Sequence, residues 1–164
     1  MKYIIASLFI TVSFISCKPK VESGSEENAR RTDSLLKIIN SPELAAINKK
    51  ILDSPDDAML YNERAKIYLQ YRQLEDAISD AKRSIRIDTT NATLYLTAAD
   101  IFFAANETRN AKDILEKVVK KFPENTDGLL KLGELYYFVK QYENAFAKIN
   151  QALKVNENLA KGYY

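Results

Sequence analysis

Histidine is absent from this 164-residue chain, and cysteine occurs once, as Cys17. The first absence removes imidazole as an acid, base or metal ligand. The second removes disulfides and any cysteine-ligated zinc site. Glycine is equally scarce, at 4 residues, and forms no Gly-rich loop of the kind that cradles a phosphate. Lys and Arg total 24 against 22 Asp and Glu. The chain is therefore near neutral, with no basic stripe along one face and no electrostatic case for nucleic acid. What is left for catalysis is Ser/Lys chemistry or paired carboxylates. Asp56-Asp57, Glu75-Asp76 with Asp80, and Glu116 are the candidates. Lys82 and Arg83 follow Asp80, and Lys112, Lys117 and Lys120 surround Glu116. Helix capping and helix-surface pairing account for all of them. The expectation is a chain with no catalytic residue, no metal and no cofactor.

What is present is periodicity. From Ala58 to Leu159 the chain repeats its chemistry every 34 residues. Ala77, Ala111 and Ala145 mark the period, as do Tyr68, Phe102 and Tyr136. The small residues Ala65, Ala99 and Gly133 keep the same spacing, and so do the bulky Tyr61, Tyr95 and Leu129. A fixed period of this size marks a solenoid whose units each bury a face against the next. Three units fit without insertion: 58–91, 92–125 and 126–159. Within the first, Tyr61, Ala65 and Tyr68 fall on one helical face, and Leu74, Ala77, Ile78, Ala81 and Ile85 fall on another. Each unit thus reads as two helices of roughly 14 residues joined by a short turn. Small residues stand where paired axes must approach to about 8–10 Å.

These residues resemble the tetratricopeptide repeat, whose pattern runs aromatic, Leu-Gly, Tyr, Ala, Phe, Ala, Pro. The third unit matches with Leu129, Leu132-Gly133, Tyr136, Ala145, Ile149 and Ala152, and has Glu157 where Pro is usual. The second matches with Tyr95, Ala98-Ala99, Phe102, Ala111, Leu115, Val118 and Pro123. The first has Tyr61, Arg64-Ala65, Tyr68, Ala77, Ala81 and Ser84, with Thr89 in place of Pro. Arg64 and Ala81 depart from the pattern and mark a looser unit. The resemblance implies an all-α fold: an α-solenoid of antiparallel helix pairs preceded by a capping helix, with a protein or peptide as partner.

The chain begins with a short positive start, Lys2, and an apolar run from Tyr3 to Ile15. About 13 residues at ~1.5 Å each cannot cross a ~30 Å hydrocarbon core. The run has the form of a signal peptide over 1–16 instead. Phe14-Ile15-Ser16-Cys17 resembles a bacterial lipobox, with Phe14 where Leu is usual. The resemblance implies that Cys17 becomes N-terminal and is fatty-acylated, with palmitate as a candidate chain. Several acyl chains at ~0.8 kcal/mol per buried methylene give stable anchoring, where one alone does not. Cleavage would leave 23 basic and 22 acidic residues. Residues 17–31 lack any apolar period and read as a flexible tether. The expected location is the bacterial cell envelope, with Lys18 after the cysteine fitting an outer-membrane protein that faces the periplasm.

Residues 32–57 read as an N-terminal cap. Asp33 to Asn40 is expected to form a short helix with Leu35, Leu36 and Ile39 inward. Ser41 suits an N-cap and Pro42 the first helical position. The helix that follows, roughly 42–53, puts Leu44, Ile47 and Ile51 on one face. Residues 42–57 then correspond to the second half of a degenerate repeat. At the other end, 160–164 restart the pattern with Tyr163, as a fourth repeat cut short. Phe146, Ile149 and Leu153 of the last helix are expected to be partly exposed; the expectation is a fragment of a longer protein, the alternative a partner that covers that face.

In the repeat family the first helices line a concave groove. The corresponding positions are Asn62, Lys66 and Leu69, then Leu96, Asp100 and Phe103, then Leu130, Glu134 and Tyr137. Tetratricopeptide domains that clamp a carboxylate use Lys, Asn and Arg there. Only Lys66 could serve, and Asp100 and Glu134 would repel such a ligand. Leu96, Phe103, Leu130 and Tyr137 instead read as an apolar strip flanked by two acids, suited to an apolar peptide or helix carrying a basic group. The function expected is a lipid-anchored adaptor that touches the membrane only through its anchor. The alternatives are a regulatory segment of a longer envelope enzyme and a self-associating array.

Overall fold

The computed structural model describes residues 41–156, together with 28, 32, 33 and 36. The leader at 1–16, Cys17 and the restart at 160–164 lie outside the described residues, as does the tether except for Asn28. Among the described residues the chain is helical, with no strand. Within residues 41–156 seven helices follow one another: α1 (Pro42–Asp53), α2 (Ala58–Gln70), α3 (Leu74–Ile87), α4 (Ala92–Ala104), α5 (Thr108–Lys121), α6 (Thr126–Phe138) and α7 (Tyr142–Val155). They form an α-solenoid. The pairs α2/α3, α4/α5 and α6/α7 pack within themselves, and each pair packs on the next. The first helix of each pair has 13 residues and the second 14. None of these helices is long and apolar enough to cross a membrane.

Helix starts and stops have local causes. Ser41, Asp57, Asn91 and Asn125 each accept a hydrogen bond from a backbone N–H in the following first turn, capping α1, α2, α4 and α6. Pro42 opens α1 where its missing N–H costs nothing. Inside each pair the chain reverses through three residues. Arg72, Asn106 and Lys140 occupy the centre of that turn with φ of 57, 60 and 63°. Their N–H groups bond to Leu69, Phe103 and Tyr137 carbonyls, and the next N–H reaches back to Tyr68, Phe102 and Tyr136. This is the double C-terminal closure that favours glycine, here built three times without one. The residue completing it (Gln73, Glu107 or Gln141) is also the N-cap of the second helix, which has no side-chain cap bond.

The core lies where the small residues allow it. Ala65, Ala99, Ala77, Ala111 and Ala145 are all buried. A Cβ added at Gly133 would stand 2.9 Å from Ile149 Cγ1 and 3.3 Å from the Ala145 carbonyl oxygen. The expected close approach of paired helices is thus real. A second cluster, Ile47, Ile51 and Tyr61 with Leu44 beside them, seats α1 on α2. Leu36 is helical but exposed, so it is not among the inward residues expected of the segment before α1.

Two details differ from the sequence reading. Asp80 does not pair with its neighbours Lys82 and Arg83. It is buried and takes both Nε and Nη2 of Arg64, at 2.6 and 2.8 Å. Arg64 Nη1 also donates to Asn48 of α1 at 2.8 Å. The looseness expected from Arg64 is offset by a fork of bonds joining α1, α2 and α3. The hydrogen bond to Asp80 holds the guanidinium above its ordinary pKa, against the opposing effect of burial. Glu116 does pair with Lys112, at 3.8 Å, and also accepts the Tyr136 hydroxyl at 2.9 Å.

Candidate functional site

The repeat geometry fixes what the ends of the first helices present. Phe102 and Tyr136 point into the stack, so the residues after them, turned by about 100°, stand at the edge of the buried face. Those residues are Phe103 and Tyr137, which are 42% and 62% exposed. On α4 Asp100 lies one turn before Phe103, and on α6 Lys131, Glu134 and Phe138 form a stripe at i, i+3, i+7. The two stripes meet across a seam. Between them lies a pocket of about 540 Å³, with Ala99, Leu115 and Leu135 among its lining and Lys140 and Tyr142 added from the turn and the start of α7.

Its four rings and two of its four charged groups are arranged in pairs. Lys131 Nζ stands 2.7 Å from Asp100 Oδ1, an ion pair across α4 and α6. Phe103 and Phe138 meet edge to face with centroids 5.1 Å apart and planes at 78°. Tyr137 and Tyr142 do the same at 5.5 Å and 62°. Such pairs are favourable without consuming both faces of either ring.

Of the sequence-predicted groove residues, the pocket gathers Asp100, Phe103, Glu134 and Tyr137. Leu96 and Leu130 are half-buried, and Leu96 packs on the main core, so the outward strip of four apolar residues is two rings rather than four side chains. Lys66 is exposed and Leu69 half-buried, on a helix that does not line the pocket. Asn62 overturns its expectation. It is fully buried, with neither amide atom hydrogen-bonded among the described residues, so it cannot meet a partner. Both flanking acids line the pocket, but they are not equivalent, since Asp100 is matched by Lys131. Phe138, Tyr142, Lys131 and Lys140 were missed. Position 138 corresponds to Gln70 and Ala104 in the other units, so periodicity carried no aromatic signal there.

Residues 93–125 match the family model of the tetratricopeptide repeat. Pre-mRNA-splicing factor 6 of Saccharomyces cerevisiae is 22% identical over 108 residues, and the match spans 66% of this chain and 12% of that protein. Among solved structures, MamA is 22% identical with a TM-score of 0.63, covering 73% of this chain and 70% of its own. YrrB, a tetratricopeptide protein with an unusual peptide-binding site, is 27% identical with a TM-score of 0.59, covering 69% of this chain and 58% of its own. The first such domain of Spaghetti (RPAP3), bound to the HSP90 peptide SRMEEVD, is 18% identical with a TM-score of 0.57, covering 62% and 81%. The similarity establishes the fold.

Proposed function

We propose that this chain is a protein-interaction module of the bacterial envelope, tethered by a lipid on Cys17, that holds an apolar peptide or helix of a protein partner, one carrying a basic group, at the pocket between α4 and α6. The observation that carries the reading is the exposure of Phe103, Tyr137 and Phe138 around one concavity. Large rings that flank a pocket are what a partner can desolvate, and interfaces draw most of their energy from such anchors. Peptide binding by YrrB and by the first domain of RPAP3 supports a peptide or protein as partner. The acidic SRMEEVD is a poor guide to its sequence, because two carboxylates line this pocket. The apolar run before Ser16-Cys17 supports the anchor.

Two experiments test the parts separately. Crosslinking and pulldown from membranes should capture one envelope protein with the wild type and lose it with the Phe103→Ala/Tyr137→Ala double variant, whose circular dichroism must match. Equal capture sinks the pocket. Alkyne-palmitate labelling should mark the wild type and not Cys17→Ser. Label retained in that variant sinks the anchor. A second reading, self-association, draws support from Phe146, which is 63% exposed on α7. Sedimentation that shows no mass increase with concentration removes it.

A further inference from the structure

We infer that the pocket between α4 and α6 takes the cationic head of an arginine or lysine side chain carried by the partner. The inference rests on the pocket being a docking site, and adds the chemistry of the group that enters it.

In the first two repeats the chain supplies cations to its own rings. Arg64 lies over Tyr61 and Tyr68, Arg83 over Tyr61, Lys82 over Phe102, and Lys121 over Tyr95 and Phe122, all 4.4–5.8 Å from the ring centroids. The four pocket rings, Phe103, Phe138, Tyr137 and Tyr142, are more exposed than these, yet none carries a cation among the described residues. Two lysines line the same pocket without filling that role. Lys131 is held by Asp100. Lys140 sits in the turn after α6, at φ 63°. Each edge-to-face pair engages one ring face, and all four rings keep exposed area. Glu134, exposed on the same wall, has no cation within ion-pair distance among the described residues.

Aromatic faces attract a cation through the ring quadrupole, more strongly once water is displaced, and an unmatched carboxylate beside them adds to the attraction. A guanidinium or ammonium on an apolar stem meets both requirements, with its methylenes against Leu135 and the rings. A carboxylate would face Glu134. A purely apolar side chain would leave Glu134 without a partner. Lys140 opposes the cation and so gives the test a sign.

The test titrates the purified full chain with N-acetyl-arginine amide and with N-acetyl-citrulline amide, which keeps the planar shape and loses the charge. Ring resonances of Phe103, Tyr137, Phe138 and Tyr142 report binding by NMR. The expected result is at least fivefold tighter binding of the arginine probe. That preference should fall in Glu134→Gln and rise in Lys140→Ala. Equal binding of the two probes, or preference for N-acetyl-aspartate amide, overturns the cation inference and leaves the docking surface standing. No shift with any probe also overturns it, and the docking surface is then judged by the Phe103→Ala/Tyr137→Ala capture experiment alone.

Discussion

Where the third repeat buries Leu132, the first places Arg64, and where the third has Lys148 the first buries Asp80. Asn62 lies fully inside the first repeat at a position occupied by half-buried Leu96 and Leu130 in the others. Ser84 takes the place of Val118 and Ala152, donating to the Ala81 carbonyl at 2.9 Å. The third repeat is the reverse, with an apolar interior and large rings on its surface. Both have helices of the same lengths in the same register. Only a few positions set the geometry. The alanines and glycine at the close helix contacts are buried in every repeat, and they fix the spacing. Positions around them accept polar groups, at a cost where a buried one finds no partner. Arg64 and Asp80 find each other, whereas Asn62 finds none among the described residues.

The comparison can be broken most severely at the ion pair. Asp80→Ala leaves Arg64 partly buried without its carboxylate and should cost about 3 kcal/mol in urea unfolding, the low end for such pairs because Arg64 keeps some solvent contact. Arg64→Leu/Asp80→Ile, which takes the leucine of the third repeat (Leu132) and the isoleucine of the second (Ile114), should recover most of the loss. If the double variant is as unstable as the single, the pair is not interchangeable with apolar packing.

Close approach in the third repeat is the next target. Gly133→Val puts a branched side chain where even a Cβ meets Ile149 and the Ala145 carbonyl, and should cost about 2 kcal/mol by overpacking. An unchanged melting temperature would show that α6 and α7 separate freely. Asn62→Leu runs the other way. Removing an unsatisfied buried amide should stabilise the first repeat by about 1 kcal/mol, read as a higher urea midpoint at unchanged slope. A lower midpoint would mean the leucine does not fit. The smallest effect belongs to the turns. Arg72→Gly relieves a positive φ that favours glycine, and after the entropy cost of glycine should gain about 0.5 kcal/mol.

Much of the fold was legible from residues alone. Ser41 and Pro42 announced the start of α1, and the 34-residue spacing placed each helix pair. The groove was legible only in part. Phe103 and Tyr137 line the pocket because they follow the core aromatics, which is a local relation along the helix. Asn62 has the same local relation to its helix as Leu96 and Leu130, yet it is the most buried of the three. Depth of burial is set by neighbouring elements, and α2 has α1 on one side and α4 on the other. Lys131 and Asp100 stand 31 residues apart, so their pairing has no signature within either helix.

By itself, then, the sequence determined the helical period, the start of α1, the small contact residues and the absence of imidazole, all of which depend on residue type and near neighbours. Tertiary structure alone decided that Asp80 turns to Arg64, that Asn62 is sealed in, that Lys131 neutralises Asp100, and that Phe138 and Tyr142 join Phe103 and Tyr137 around one pocket. Those outcomes depend on which side chains of different helices come within a few ångströms, and a linear period places helices in register without saying which partner each exposed group will take.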